Sequence, residues 1–185
     1  HDKQNVYYYT FPGETPTLRE LGVLNNKHIP KQYLRASYEQ RLQLLQGLLD
    51  TDGSIHSKSF SCVFTTTIPQ LAEDYAELVR SLVLKASCIK RNGRVVDFGA
   101  YSSIGKDQYQ FNFMAPLDMD VFRLPRKLAV QKSKVHNKER HYKRYRIKNI
   151  EIIDSIPTKC IMVSSESHLF LAGEMMIPTH NTTAS

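Results

Sequence analysis

The stretch Leu45-Gln46-Gly47-Leu48-Leu49-Asp50-Thr51-Asp52-Gly53 decides how this chain is read. Apolar residues at Leu42, Leu45, Leu48 and Leu49 fall on one helical stripe. Ser37, with Gln40 three residues on, has capping-box spacing, so a helix is predicted from Ser37 to near Gly53. Gly47 on that helix allows close backbone approach, and Asp50 and Asp52 gather at its end. Carboxylates there oppose the negative end of the helix dipole unless a cation offsets them, which points to a divalent metal at Asp52 and Asp50. Taken alone, the DxDG pattern equally fits an ordinary turn that closes a helix.

Outward from this stretch the chain alternates helices and strands. Before it, Tyr7 to Tyr9 reads as a strand remnant, Pro12-Gly13 and Pro16 as a turn, and Thr17 to Leu21 as a short helix. After it, Ile55 to Thr67, rich in Phe, Val and Thr, predicts a strand pair. Pro69 opens a helix over 70–84 with Leu71, Tyr75, Leu78, Val79 and Leu82 on one face, and Glu73, Asp74 and Glu77 are read as complementing its dipole. Strands are expected at 86–90, 95–98 and 109–113, then a short helix at 118–122. From Arg146 only short strands are predicted, at 146–153, 159–163, 168–171 and 175–177, a second, all-β unit.

The 185 residues make one large domain or two small ones, with a formal net charge of +7. Arg126 to Lys148 holds ten basic residues against one acid, Glu139, so the basicity is local and the rest of the chain is net −2. Such a run reads either as a solvated linker or as an arm that tracks a phosphate backbone. Its DNA-contacting candidates are Lys132, Lys134, Lys138, Arg140, Lys143 and Arg144. The composition, 41% hydrophobic, excludes disordered and collagen-like classes, and no run is long enough for a membrane helix. No membrane partner is therefore expected, and three cysteines without a CxxC pair, which fit neither a disulfide framework nor a zinc site, point to a cytoplasmic setting, in a bacterial or phage-infected cell.

The segment LLQGLLDTDGSI resembles the motif of the LAGLIDADG (DOD-type) homing endonucleases. The upstream NKHIPKQYL, with Lys27, Ile29 and Pro30, resembles the K-x-IP block that precedes the second motif helix in intein-borne members, and FTTT, LAEDYAELVRSL and FRLPRKL are similar to the family too. The resemblance implies an α+β fold, an αββαββα half whose sheet lies in the major groove of double-stranded DNA and whose motif helix packs against a twin. Each helix would then offer one acid to shared Mg2+ ions. By this resemblance Asp52 is the metal ligand, Lys27 a residue that polarises the site, and Asp50 a support at the helix end.

At the C-terminus, Asn181 stands before Thr182 and after His180. An asparagine so placed can cyclise onto its own carbonyl and release the next residue, with a histidine as proton donor or polariser and Thr182 as a hydroxyl nucleophile. HNTT alone reads more readily as a flexible polar tail. The longer KCIMVSSESHLFLAGEMMIPTHN resembles the final two blocks of inteins, the C-terminal strands of a Hint splicing domain. In that pattern His168 aids cyclisation, Cys160 fills a position often catalytic, Asn181 ends the intein and residues 182–185 are C-extein. Splicing itself needs no cofactor.

The expected organisation is an endonuclease part over 1–145, with 126–145 as basic linker or arm, then the splicing part over 146–181. An intein's nucleophilic first residue, its TxxH block and a first motif helix are absent from this sequence. The reading is therefore a C-terminal intein part, one half of a split intein or a truncated product, whose partner is the N-terminal intein region. Thr182-Thr183 suggests a host with a phosphate-binding loop, such as a phage terminase or another P-loop NTPase. The other reading is a stand-alone or homodimeric Mg2+-dependent endonuclease of the same family.

Overall fold

Two short helices, α1 (Glu14–Glu20) and α2 (Lys31–Leu34), precede α3 (Tyr38–Thr51), which carries the deciding stretch. The computed structural model describes residues 13–93, 95–97, 102–133, 147–157 and 159–180. The strand expected at Tyr7 to Tyr9 lies outside them. Ser37 and Gln40 form the expected capping box, with the Ser37 hydroxyl accepting the Gln40 N–H and the Gln40 amide oxygen accepting the Ser37 N–H. The helix ends at Thr51, with Asp52 as its C-cap.

The expected strand pair is a tight hairpin, β1 (Gly53–Ile55) and β2 (Ser61–Thr66). Helix α4 (Pro69–Ser81) follows, then β3 (Ser87–Arg91), a small hairpin of β4 (Val95–Asp97) and β5 (Ser102–Ile104), and β6 (Gln108–Met114). One antiparallel sheet results, in the order β1-β2-β6-β3. Its inner face buries Cys62, Phe64, Phe111 and Phe113 against Leu45 and Leu49 of α3 and the apolar face of α4. Tyr75 sits at the centre, stacked on Phe64 at 4.1 Å and tilted against Phe111 at 5.0 Å between ring centroids.

Three expectations are corrected. First, 118–122 is not a helix. Val121 and Phe122 are fully buried in a segment without regular secondary structure, whose backbone is held by side chains. Gln131 accepts the Val121 N–H and donates to the Met119 carbonyl, and Gln46 donates to the Asp120 carbonyl. The helix begins instead where Pro125 sets the first helical φ, as α5 (Pro125–Lys132). The basic run therefore starts inside a packed helix, and residues 134–146 of it lie outside the described residues.

Second, none of the acids of α4 stands in its first turn. Asp74 is buried and accepts the Ile29 N–H, and Glu77 pairs with Arg35, so both fasten the segment before α3 to α4 rather than complement a dipole.

Third, the strands expected over 146–153 and 159–163 do not form among the described residues. Ile147, Ile150, Ile152, Ile153, Ile156, Ile161 and Met162 are exposed. An isolated apolar segment with no neighbouring strand has nowhere to place its backbone hydrogen bonds. The last two expected strands do pair, as the hairpin β7 (Leu169–Ala172) and β8 (Ile177–His180). No helix among the described residues is long and apolar enough to cross a membrane.

Candidate functional site

The end of α3 holds its two carboxylates in opposite ways. Asp50 turns inward. Its Oδ2 accepts the N–H groups of Arg123 and Leu124, at 3.0 and 3.1 Å, immediately before α5 begins. An anion suits the positive N-terminal end of that helix, and Oδ1 is buried without a partner. Asp52 points out, exposed, and accepts no hydrogen bond among the described residues.

The cation that offsets this acidic helix end is a lysine of the protein. Lys127 of α5, only 6% exposed, donates to the carbonyls of Leu49 at 2.7 Å, Asp50 at 2.8 Å and Gly53 at 2.7 Å. Its ammonium also lies 5.7 Å from the centre of the Phe122 ring. Burial pulls the Lys127 amine below the usual lysine range, with Arg126 adding to the pull while Asp50 and Asp52 oppose it. Reading the sequence for helix-end acids alone missed this residue. The signal was present, since FRLPRKL follows the last strand of the sheet, but a lysine within a basic run reads as solvated.

Gly53 closes the turn. A Cβ there would stand 2.7 Å from both the Cα and the carbonyl oxygen of Leu49, so the chain folds back on α3 more tightly than any other residue permits. A Cβ built at Gly47, on the opposite, exposed side of α3, meets nothing within 4 Å. The motif's first glycine thus opens onto a bare helix surface and its second is obligatory inside the fold.

The sheet register defines an outer face. Ser54, Val63, Asn112 and Ser87 lie in one row across the four strands, and Thr65, Gln110 and Ile89 in the next, with Arg91 beyond. This face is lined with hydroxyl, amide and guanidinium groups, and Gln110 donates to Asn112 at 3.1 Å along it. Among the described residues, helices cover only the other face.

Lys27 is exposed and makes no contact with Asp52 among the described residues, because its segment is anchored on α4 by Ile29. Lys132, at the end of α5, pairs with Asp120 at 2.8 Å. Lys134, Lys138, Arg140, Lys143 and Arg144 lie outside the described residues. Asp52 is the lone free acid at this helix end, and no group of three metal-ligating side chains gathers among the described residues. Mg2+ asks for several oxygen ligands, so Asp52 fits one position of a site that a second acid and the substrate would complete.

In the C-terminal hairpin, His168 and His180 come together. Leu169 pairs with His180, and the two imidazoles stand edge to face at 6.4 Å. His168 is held in the left-handed region, φ 51°, with Nδ1 at 3.1 Å from the Val163 carbonyl oxygen. Cys160 is exposed in the irregular stretch upstream, and Asn181 and Thr182 fall outside the described residues.

Comparison with known proteins bears on the host and on the first unit. Over 168 residues, 90% of its length, the chain is 39% identical to the replicative DNA helicase DnaB of Mycobacterium intracellulare. Over 37 residues it is 43% identical to the replicative DNA helicase DnaB of Mycobacterium leprae. It spans 27% and 6% of the lengths of these relatives. Both are helicases, which overturns the expectation of a terminase. Residues 39–111, from the first turn of α3 to the middle of β6, match the family described as LAGLIDADG-like domain. The matched segment takes in the α3 motif helix, α4 and most of the four-stranded sheet, so this part of the chain is similar to a LAGLIDADG-like domain.

Proposed function

We propose that this chain is the endonuclease-bearing, C-terminal portion of an intein that interrupts a replicative DNA helicase in the bacterial cytoplasm. The observation that carries this reading is the contrast at the end of α3. Within the segment that matches the LAGLIDADG-like domain, Asp50 is held by backbone N–H groups through one oxygen while Asp52 keeps an exposed carboxylate that accepts no hydrogen bond among the described residues. The organisation proposed is an endonuclease part over 1–145, a splicing part over 146–181 and extein residues over 182–185.

In the DNA-cutting centre Asp52 is the acid that would hold Mg2+. When bound, that ion supplies Lewis-acid stabilisation of charge on the scissile phosphate. Gly53 and the Asp50 cap keep the turn in place. The outer face of the sheet, with Ser54, Thr65, Gln110, Asn112 and Arg91, offers the donors and acceptors that read base edges of double-stranded DNA. Lys134, Lys138, Arg140, Lys143 and Arg144 contact phosphates, where each contact releases counterions. Lys27 would serve the same centre only after a movement of its segment.

In the splicing part, the side-chain nitrogen of Asn181 attacks its own carbonyl carbon and the bond to Thr182 breaks. His180 donates a proton to the leaving nitrogen, and His168 orients it from across the hairpin. Before that cleavage the Thr182 hydroxyl attacks the carbonyl at the N-extein junction and takes over the N-extein acyl group, and the N-terminal nucleophile of the intein leaves. The exposed isoleucines of 147–161 fit strands completed by an N-terminal intein segment, whether joined or split from this chain. Cys160 belongs to that completed unit.

Two substitutions test the parts separately. Asn181→Ala should abolish release of a reporter fused after Ser185, read by intact mass with an N-terminal intein segment present. Asp52→Asn should remove Mg2+-dependent DNA cutting and leave splicing unchanged. Release at the same bond from the Asn181 variant, or undiminished cutting by the Asp52 variant, would refute the corresponding part. The second reading, a homodimeric endonuclease, draws on the open surface at Gly47, and dimers in sedimentation with DNA would favour it.

A further inference from the structure

We infer that Lys127 is a positioning residue for Asp52: it clamps the backbone on both sides of that acid and so fixes where its carboxylate points. The inference rests on the proposed role of Asp52 as metal ligand. An ammonium has three N–H donors, and Lys127 spends all three on the carbonyls of Leu49, Asp50 and Gly53. Two of these precede Asp52 and one follows it, so residue 52 sits in the middle of a backbone loop tied to a single nitrogen.

The clamp is reciprocal. Asp50, inside the tied loop, caps the start of α5 by accepting the Arg123 and Leu124 N–H groups, and α5 returns Lys127. Neither helix end can shift without breaking bonds at the other. The Asp52 N–H adds a further tie, donated to the Leu48 and Leu49 carbonyls within α3. The Asp52 carboxylate accepts no hydrogen bond among the described residues, so the backbone of the tied loop sets its direction. A carbonyl triad of this kind is specific to lysine. A planar guanidinium cannot converge on three acceptors as a tetrahedral ammonium does, and an uncharged side chain supplies too few donors.

The test uses the whole chain and Mn2+ as the probe. Asp52-dependent binding is the difference between wild type and Asp52→Asn in a titration followed by electron paramagnetic resonance. Lys127→Met should weaken that binding about tenfold and split or broaden the Asp52 and Gly53 amide resonances, while the Leu71 and Leu78 methyl resonances stay in place. Sharp Asp52 and Gly53 amides with unchanged Mn2+ affinity would overturn the inference. If wild type shows no Asp52-dependent binding, the metal-ligand reading fails, and the amide resonances of Lys127→Met still decide the positioning. Should Lys127→Met not fold, the wild-type 15Nζ resonance decides. A slowly exchanging Lys127 ammonium supports the clamp, and exchange as fast as that of surface lysines overturns it.

Discussion

The carboxylate of Asp74 accepts the backbone N–H of Ile29 at 2.9 Å, joining residues 45 apart in sequence. Both are buried, and the bond holds the IP segment before α3 against the middle of α4. Asp74→Ala should leave that N–H buried without an acceptor and cost about 1–3 kcal/mol, whereas Asp74→Asn, which keeps an acceptor, should cost less. Denaturant unfolding of the two variants separates these outcomes, and equal losses would mean that charge rather than the hydrogen bond is at stake.

Tyr75 presents the opposite case. Its ring is central to the core, yet its hydroxyl is buried without a partner, and burial holds its ionisation well above the ordinary tyrosine value. Tyr75→Phe should therefore raise stability by about 1 kcal/mol, since an unpaired polar group leaves the interior and the ring stacking remains. A lower melting temperature would show that the hydroxyl has found a partner in solution.

The two glycines of the motif should respond in opposite directions. Gly53→Ala forces a Cβ into the Leu49 backbone and should cost about 2 kcal/mol or more. Gly47→Ala meets open space on a helix and should gain about 0.5–1 kcal/mol, from helix propensity, in the isolated chain. If α3 pairs with a twin helix through this surface, the same Gly47 variant loses DNA cutting while its thermal melt improves. A stabilised variant with full activity would place the pairing surface elsewhere.

Val83 follows the C-cap of α4 with φ 60°, a left-handed conformation that a β-branched residue adopts at a cost. The Leu84 N–H returns to the Val79 carbonyl at 3.1 Å, which leaves the chain no other course. Val83→Gly should raise stability by about 0.5–1 kcal/mol, measured by thermal unfolding.

At the base of the β4–β5 hairpin, Asp107 accepts the Gly93 N–H at 3.0 Å and pairs with Lys90 at 3.1 Å. The Gly93 hydrogen bond first, and Lys90 second, hold its carboxyl below the usual aspartate value. The folded form thus binds a proton less readily than the unfolded chain. The stability it contributes is present above the ordinary carboxylate value, about pH 4, and is lost as pH falls through the lower folded value. The Gly93 amide proton resonance should move as the bond breaks in that acidic range, and Asp107→Asn should abolish the movement. A resonance that stays fixed down to pH 2 would rule out the clasp.

Much of the fold is legible in the chain because local signals agree with it. The capping box at Ser37 and Gln40, the proline at the first position of α4, and the apolar stripe from Leu71 to Leu82 each depend on neighbours within a few residues. The candidate acid Asp52 is legible for the same reason, as part of a contiguous motif. Segment 118–122 is misread because its short apolar pattern lacks a local decision. The side chains of Gln46 and Gln131, from other elements, hold its backbone in a non-helical course.

What the sequence by itself determined is therefore the α3 motif helix, the alternation of helices and strands through β6, the local basicity of 126–148 and the presence of two last short strands. What only the tertiary structure decided is the division of labour at the end of α3. Asp50 and Asp52 are two residues apart and chemically identical. One is held at the start of α5 and one stands exposed because the chain returns 77 residues later to set Lys127 against the Asp50 carbonyl. That choice rests on convergence of distant backbone, which no spacing along the chain encodes.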